Sequence, residues 1–600
     1  MPIKNPLLLC GGKFVIFKSA RNLLFPMLTA ILALSYGCST SNPTPEYINA
    51  IEQNRPLDSE SLYKKQLEEK GLSQELYLME KARITQLQSD FDSSRSSFEK
   101  EVEILKQREL DDDTLPGAEI NVGSVLVNDN MLPYKARLFE VEMLYLMQSL
   151  NYLAKGDLEG ATVEIRNADY LLNEAEKARE SENFKEETYR SSEAGIQKKL
   201  FENQNAIQKN SATKEPADEK SETSDEKPAA EKNVKPADEK SETSDEKPAA
   251  EKNVKPADPE SNDDTEAVEK TPEQKKADEG KRAEYEQKSM VEYEKNFAGM
   301  EEALAQSKSS VLNPYVLYMS GIIHEMNGEF DDAYISYKKG LELMPSNPYL
   351  QRDVVRLARN LNKTNDFEDL KSSYPELWKQ FAVKTPSGKN GRLIVLYEYG
   401  WAPRKTEVFI SLGAIAFAYP VYKFKWSPAS PMTVSSELGE IGTTSPICYM
   451  NAIALRALKE EAKWRIIRQA ARAVVKGAVF ATGTTMTAAS SNSGVQLAGV
   501  GIMVASAIYN NVSENADLRC FMSLPENVQI LSSSIPAGEH KISFAPRGTQ
   551  LHLEETVPVI ADKTTILRIV QVGPRLIYQR LWPAPEQTDI SNKSQEGNNP

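Results

Sequence analysis

Cysteine is nearly missing from this chain: four residues in 600. That excludes a disulfide framework and a thiolate-rich metal cluster. Cys10 lies in the N-terminal leader discussed below and Cys38 is expected to carry lipid, so only Cys448 and Cys520 are left to pair. An oxidising compartment permits that bridge, and two buried free thiols are the other reading. Histidine is scarcer still, with three residues. His324 opens a His-Glu-Met-Asn-Gly run that lacks the second histidine of a zinc-protease helix. His540 and His552 sit in neighbouring strand candidates with no cysteine or carboxylate at ligand spacing. Gly499-Val500-Gly501 lacks the third glycine and the preceding strand of a dinucleotide fingerprint. A phosphate loop and a nucleophile elbow are absent. No catalytic residue, metal or cofactor is expected. Positive charge is also short, with 72 Lys and Arg against 87 Asp and Glu and a net charge of −15, which argues against a nucleic-acid surface.

What is present begins with a leader. Lys13, Lys18 and Arg21 precede an apolar run from Leu23 to Leu34, too short to span a bilayer, and Ser35-Tyr36-Gly37-Cys38-Ser39 follows. Residues 1–37 are therefore expected to be a signal peptide and Cys38 a lipidated first residue. Ser39 rather than Asp after it points to the outer membrane, facing the periplasm. The membrane contact is then the N-terminal lipid.

Further along, Pro216–Lys235 recurs unchanged as Pro236–Lys255, with almost no large apolar side chain. Such a segment cannot bury enough surface to offset the entropy of ordering, so 211–276 is expected to be a disordered linker. It separates a helical region at 38–210 from a second at 277–385.

Asn313–Pro345 resembles one tetratricopeptide repeat. Gly321 fits the close helix crossing, Gly328 the turn, Phe330 and Ala333 the start of the second helix, Tyr337 the aromatic contact and Pro345 the stop. A large residue, a small one at +3 and a large one at +7 recur as Phe91, Ser94 and Phe98, then as Leu158, Ala161 and Ile165. Phe367, Leu370 and Tyr374 form a looser copy. These positions predict a stack of antiparallel helix pairs, each covering its neighbour's apolar stripe. Fold analogy adds a groove for a protein partner of unknown identity, with Asn327, Arg352 and Arg356 as polar candidates.

Beyond Pro386 the period changes. Arg392–Tyr397 and Glu407–Leu412 read as strands, 453–477 as a helix, and Lys476–Asn511 as a hairpin of two helices rich in Gly, Ala, Ser and Thr. That hairpin either packs internally or enters a membrane as part of an oligomer, which is the alternative to a scaffold. Short strand candidates between 517 and 572 suggest a small β-sandwich. The fold class expected is α+β and multidomain, with a mixed region at 386–582 and a loose tail at 583–600.

Three stretches carry a family resemblance: Tyr152–Ala161 with Glu164 and Arg166, Tyr397–Lys405, and Ala516–Pro525 followed by Pro536–His540. With them the chain resembles an uncharacterised family of bacterial lipoproteins in which tetratricopeptide-like helices precede a β-rich C-terminal region. The resemblance implies an envelope location and an association with peptidoglycan-synthesis lipoproteins. The function expected is a lipid-anchored, non-enzymatic scaffold in envelope assembly or maintenance, of unknown oligomeric state.

Overall fold

The computed structural model describes residues 44–53, 74–112, 134–180, 272–381, 388–412, 415–462, 465–466, 469–470 and 515–584. Cys38, the leader 1–37, the hairpin 476–511 and the linker 211–276 up to residue 271 lie outside the described residues. Among the described residues no helix is long and apolar enough to cross a membrane. The chain forms two compact units, Asn203–Glu279 and the remainder. In the first, the described residues 272–279 are helical.

The larger unit is mixed α and β. Its helices are α1 (Thr44–Glu52), α2 (Gln74–Leu87), α3 (Phe91–Asp112), α4 (Leu138–Ala154), α5 (Leu158–Glu180) and the end of α6 (Pro272–Glu294). They continue with α7 (Glu301–Ala305), α8 (Pro314–Met326), α9 (Phe330–Leu343), α10 (Pro348–Asn360), α11 (Phe367–Ser373) and α12 (Pro375–Gln380). Consecutive helices pair as α2 with α3, α4 with α5 and α8 with α9. The pairs then stack in order, α3 on α4, α5 on α8 and α9 on α10.

Local sequence explains these elements. Asn313 and Asn347 cap α8 and α10, each accepting a bond from the backbone two residues on at 3.0 Å, with proline at the first helical position. The Asn-Pro-Tyr starts of the two helices lie 34 residues apart. Gly328 holds φ at +79° in the turn between α8 and α9. At Gly321 a Cβ would stand 2.4 Å from the Tyr337 ring, so only glycine lets these helices approach this closely.

Eleven strands follow among the described residues: β1 (Asn390–Tyr399), β2 (Lys405–Leu412), β3 (Ile415–Tyr422), β4 (Met432–Ser436), β5 (Gly439–Thr443), β6 (Ser445–Tyr449), β7 (Asn527–Pro536), β8 (Gly538–Pro546), β9 (Leu553–Val559), β10 (Thr564–Val572) and β11 (Arg575–Trp582). One more helix, α13, covers residues 450–462. The strands form a five-stranded sheet in the order β11-β10-β1-β7-β6, a four-stranded sheet β5-β4-β8-β9 and the hairpin β2-β3. β1 is central, parallel to β10 and antiparallel to β7.

Strand alternation divides β1 between two cores. Leu393, Val395 and Tyr397 meet Met432 and Val434 of β4, Ile542 and Phe544 of β8 and Val557 of β9. Ile394 and Leu396 face the other way, into the core built by the helices. The five-stranded sheet is thus buried on both sides, by helices and by the second sheet.

Four expectations are corrected. Residues 517–572 do not make a sandwich of their own: their strands divide between two sheets and need β1 and β4 from 390–436 to complete them. The regions 277–385 and 386–582 are not separate domains, because the apolar helix-facing side of the sheet is covered by the helices. Cys448 and Cys520 are both free and buried, Cys448 in the helix–sheet core and Cys520 beside Ile48 and Met522. Of the residues expected to pack the repeats, Phe330 is not in the core; it is 45% exposed. It is the first residue of α9, at the helix terminus. Ser94, Phe98, Ala161, Ile165, Ala333 and Tyr337 are fully buried, with Phe91 and Leu158 half-buried against the same core.

Candidate functional site

The helix-facing edge of β1 reads Arg392, Ile394, Leu396, Glu398: two apolar residues flanked by two charges. Each charge ties a different part of the helical stack to the sheet. Glu398 is fully buried and receives both Arg83 of α2 and Arg568 of β10. Arg568 grips it with two bonds, Nε to Oε1 at 2.8 Å and Nη2 to Oε2 at 2.9 Å, a bidentate geometry suited to a planar guanidinium. The Tyr315 hydroxyl donates to Oε1 at 3.2 Å. Gln86 accepts from both arginines and donates to Asn151 of α4 at 2.7 Å, so the network reaches the second helix pair.

At the other end of β1, Arg392 donates to Glu325 of α8 at 2.9 Å and to Asp353 of α10 at 2.6 Å. Arg356 completes the square, at 2.7 Å from Glu325 and 3.2 Å from Asp353. Burial alone would raise the two carboxyls, but Arg392 and Arg356 outweigh it and hold both below their usual range. Arg352 turns to the Ser532 hydroxyl of β7 at 2.6 Å. The polar groove candidates Arg352 and Arg356 are therefore engaged by the protein itself, and Asn327 bonds Glu329 at 2.6 Å. Arg352 and Arg356 are thus turned toward the sheet, while Asn327 is exposed in the turn between α8 and α9.

What stays open lies on the outer side. Val163 of α5 is 41% exposed, and Phe330 and Ile335 of α9 are 45% and 52% exposed. These helices are cross-linked by Arg166 to Glu329 and by Lys339 to Asn173 and Glu176 at 2.7 and 2.9 Å. Val163 and Arg166 are three residues apart on α5, and Ile335 and Lys339 four apart on α9, so each apolar side chain shares a helix face with a cross-linking cation. The result is a ridge of apolar side chains bordered by ion pairs. Separately, an open cleft of about 750 Å³ runs between Met300, Glu301 and Glu302 on one side and Lys423, Lys425 and Trp426 on the other. Its lining offers charge and aromatic surface.

Among the carboxyls outside both networks, Glu80, Glu142 and the part-buried Glu164 are raised by burial, Glu164 to about 7. Burial pushes Glu80 up to about 7, against hydrogen bonds from Ser523 and the Met522 amide, and raises Glu142 well above the carboxylate range. Both hold their protons in the folded chain while the unfolded chain has already released them. Stability therefore falls as pH rises from about 4.5 to 7, by on the order of 3 kcal/mol for a shift the size of that at Glu80. Glu325 and Asp353 act oppositely: their contribution is complete above the unfolded carboxylate pKa and is lost as pH falls. Thermal melting across pH 3–8 should peak between pH 4 and 5, and Glu142→Gln should flatten the alkaline side of the curve. A melting temperature that rises steadily toward pH 8 would contradict this assignment.

Comparison of the chain with protein-family models, with curated proteins and with solved structures finds no match. Sequence reasoning located the helix pairs and missed both charge networks. One available signal was the Arg392-to-Glu398 spacing, which puts both charges on the same strand face as Ile394 and Leu396.

Proposed function

We propose that the chain is a non-enzymatic scaffold, tethered to the outer membrane by lipid on Cys38 and facing the periplasm. Its tetratricopeptide-like helix pairs hold a protein partner during envelope assembly or maintenance. One observation carries the reading. The inner face of the helical stack is filled by the protein's own sheet and locked by buried ion pairs, while α5 and α9 present Val163, Phe330 and Ile335 outward. A stack held this rigidly gives a partner a surface of fixed shape, and little ordering entropy is lost on binding. The partner surface is accordingly the outer ridge and not the groove expected from repeat analogy.

A photo-crosslinking residue placed at Ile335 in the native envelope tests this. A discrete crosslinked protein should form from position 335 and disappear when Val163→Asp is added. Crosslinking from position 352 on the inner face should yield none. The Asp substitution should shift folding stability by no more than about 0.5 kcal/mol, as for other exposed positions. Crosslinks from position 352 alone would contradict the proposal. So would a Cys38→Ser chain that still incorporates a labelled fatty acid.

A further inference from the structure

The turn joining α8 to α9 gathers a constellation that the scaffold reading does not use. The His324 side chain is 4% exposed, and carboxylates face both of its ring nitrogens. Asp169 of α5 lies 2.9 Å from Nε2, and Glu329 Oε2 lies 2.6 Å from Nδ1. A neutral imidazole carries a single N–H, so one of these contacts would set a lone pair against a carboxylate oxygen with nothing between them. A cation at that point, whether a second ring proton or a metal ion, removes the conflict.

We propose that His324 Nδ1, Glu329 and Asp332 form a site for a divalent transition-metal ion, zinc in the first instance. Their ligand atoms lie within 4.8 Å of one another. An imidazole nitrogen and two carboxylate oxygens are a donor set zinc accepts, with bonds of about 2.0 to 2.2 Å. The neighbours are arranged as supports for such a site. Asp169 accepts from Nε2–H and from the Ser320 hydroxyl at 2.7 Å, which fixes the tautomer that leaves Nδ1 free to ligate. Arg166 and Asn327 bind Glu329 through its other oxygen, Oε1, so that Oε2 is the atom presented. Asp332, on the exposed side, has no hydrogen bond or ion pair of its own among the described residues. Zinc ligands stand about 3.3 Å apart in tetrahedral geometry, so Glu329 Oε2, now 2.6 Å from Nδ1, must retreat by about 0.7 Å. Its place at the end of the Asn327-Gly328 turn gives it that freedom. The bound ion would clip the α8–α9 turn, and through Asp169 would brace it against α5.

The test uses the full chain stripped with a chelator and titrated with zinc alone, then with cobalt as a spectroscopic probe. One equivalent of zinc should bind with a micromolar or tighter dissociation constant, more tightly as pH rises and the imidazole loses its proton. Cobalt at the site should give visible d–d absorption. Asp332→Asn should weaken zinc binding at least tenfold and remove the cobalt bands while leaving the melting temperature in chelator nearly unchanged. That last condition separates a ligand from a structural residue, because in the metal-free fold Asp332 only lends its charge to the first turn of α9, a small effect that Asp331 beside it shares. His324→Gln should abolish binding outright. If the chain takes up no zinc at 100 micromolar, or if Asp332→Asn binds zinc and cobalt as the parent does, His324 is only an imidazolium between two carboxylates and the proposal fails.

Discussion

Glu398→Ala is expected to destabilise the protein by about 3 to 5 kcal/mol, the cost of removing one partner from a fully buried ion pair. The change leaves the guanidiniums of Arg83 and Arg568 facing each other without an anion, at a place where water does not reach. Equilibrium unfolding in denaturant, followed by circular dichroism, reads the loss as a lower midpoint. The penalty comes from the stranded charges and not from a lost attraction. A triple variant Arg83→Met, Glu398→Leu, Arg568→Met should therefore recover much of the stability lost by Glu398→Ala. A Glu398→Ala protein that melts within a degree of the parent would show that the sheet and the first helix pair are not joined here.

The second large effect concerns the helix pair α8 and α9. Tyr337→Ala should cost about 3 to 5 kcal/mol, because it empties a fully buried aromatic site against Tyr318, whose ring lies 5.5 Å away, and against the bare backbone at Gly321. Phe330→Ala, only seven residues earlier and equally aromatic, should cost under about 1 kcal/mol because half of that ring is already in water. Thermal denaturation of the two variants side by side distinguishes burial from residue type. Equal losses would mean that Phe330 is packed after all.

The contrast between Tyr337 and Phe330 marks how far the sequence can be read. Small and large residues at +3 and +7 locate helix pairs because the pattern is local: Gly321 and Tyr337 are linked by one turn. The same pattern cannot tell whether a residue at the very start of a helix points to the partner or to solvent, and Phe330 fell on the wrong side of that line. The Asn-Pro-Tyr pair at 313 and 347, which the apolar pattern passes over, marks the starts of α8 and α10 more directly than that pattern does.

The β region was harder for a topological reason. Arg392–Tyr397 was readable as a strand, yet nothing in its residues says that it inserts between β7 and β10, whose partner positions begin more than 130 residues later. Its charges had partners equally remote: Arg83 is 315 residues from Glu398, and Asp353 is 39 from Arg392. A buried ion pair of this kind leaves only one half visible in any window. The free thiols follow the same rule, since Cys448 and Cys520 belong to different clusters although their spacing permitted a bridge.

Helical stack and sheet are held as one body with β1 as its keel, and the sheet closes the inner face of the helices. Native-state hydrogen exchange across low denaturant tests it most directly. Amides of α8, α10, β1 and β10 should open together, at the free energy of global unfolding. If α8 and α10 exchanged at a distinctly lower free energy than β1, the helices would be a separate module resting on the sheet, and the inner face would be open to a partner.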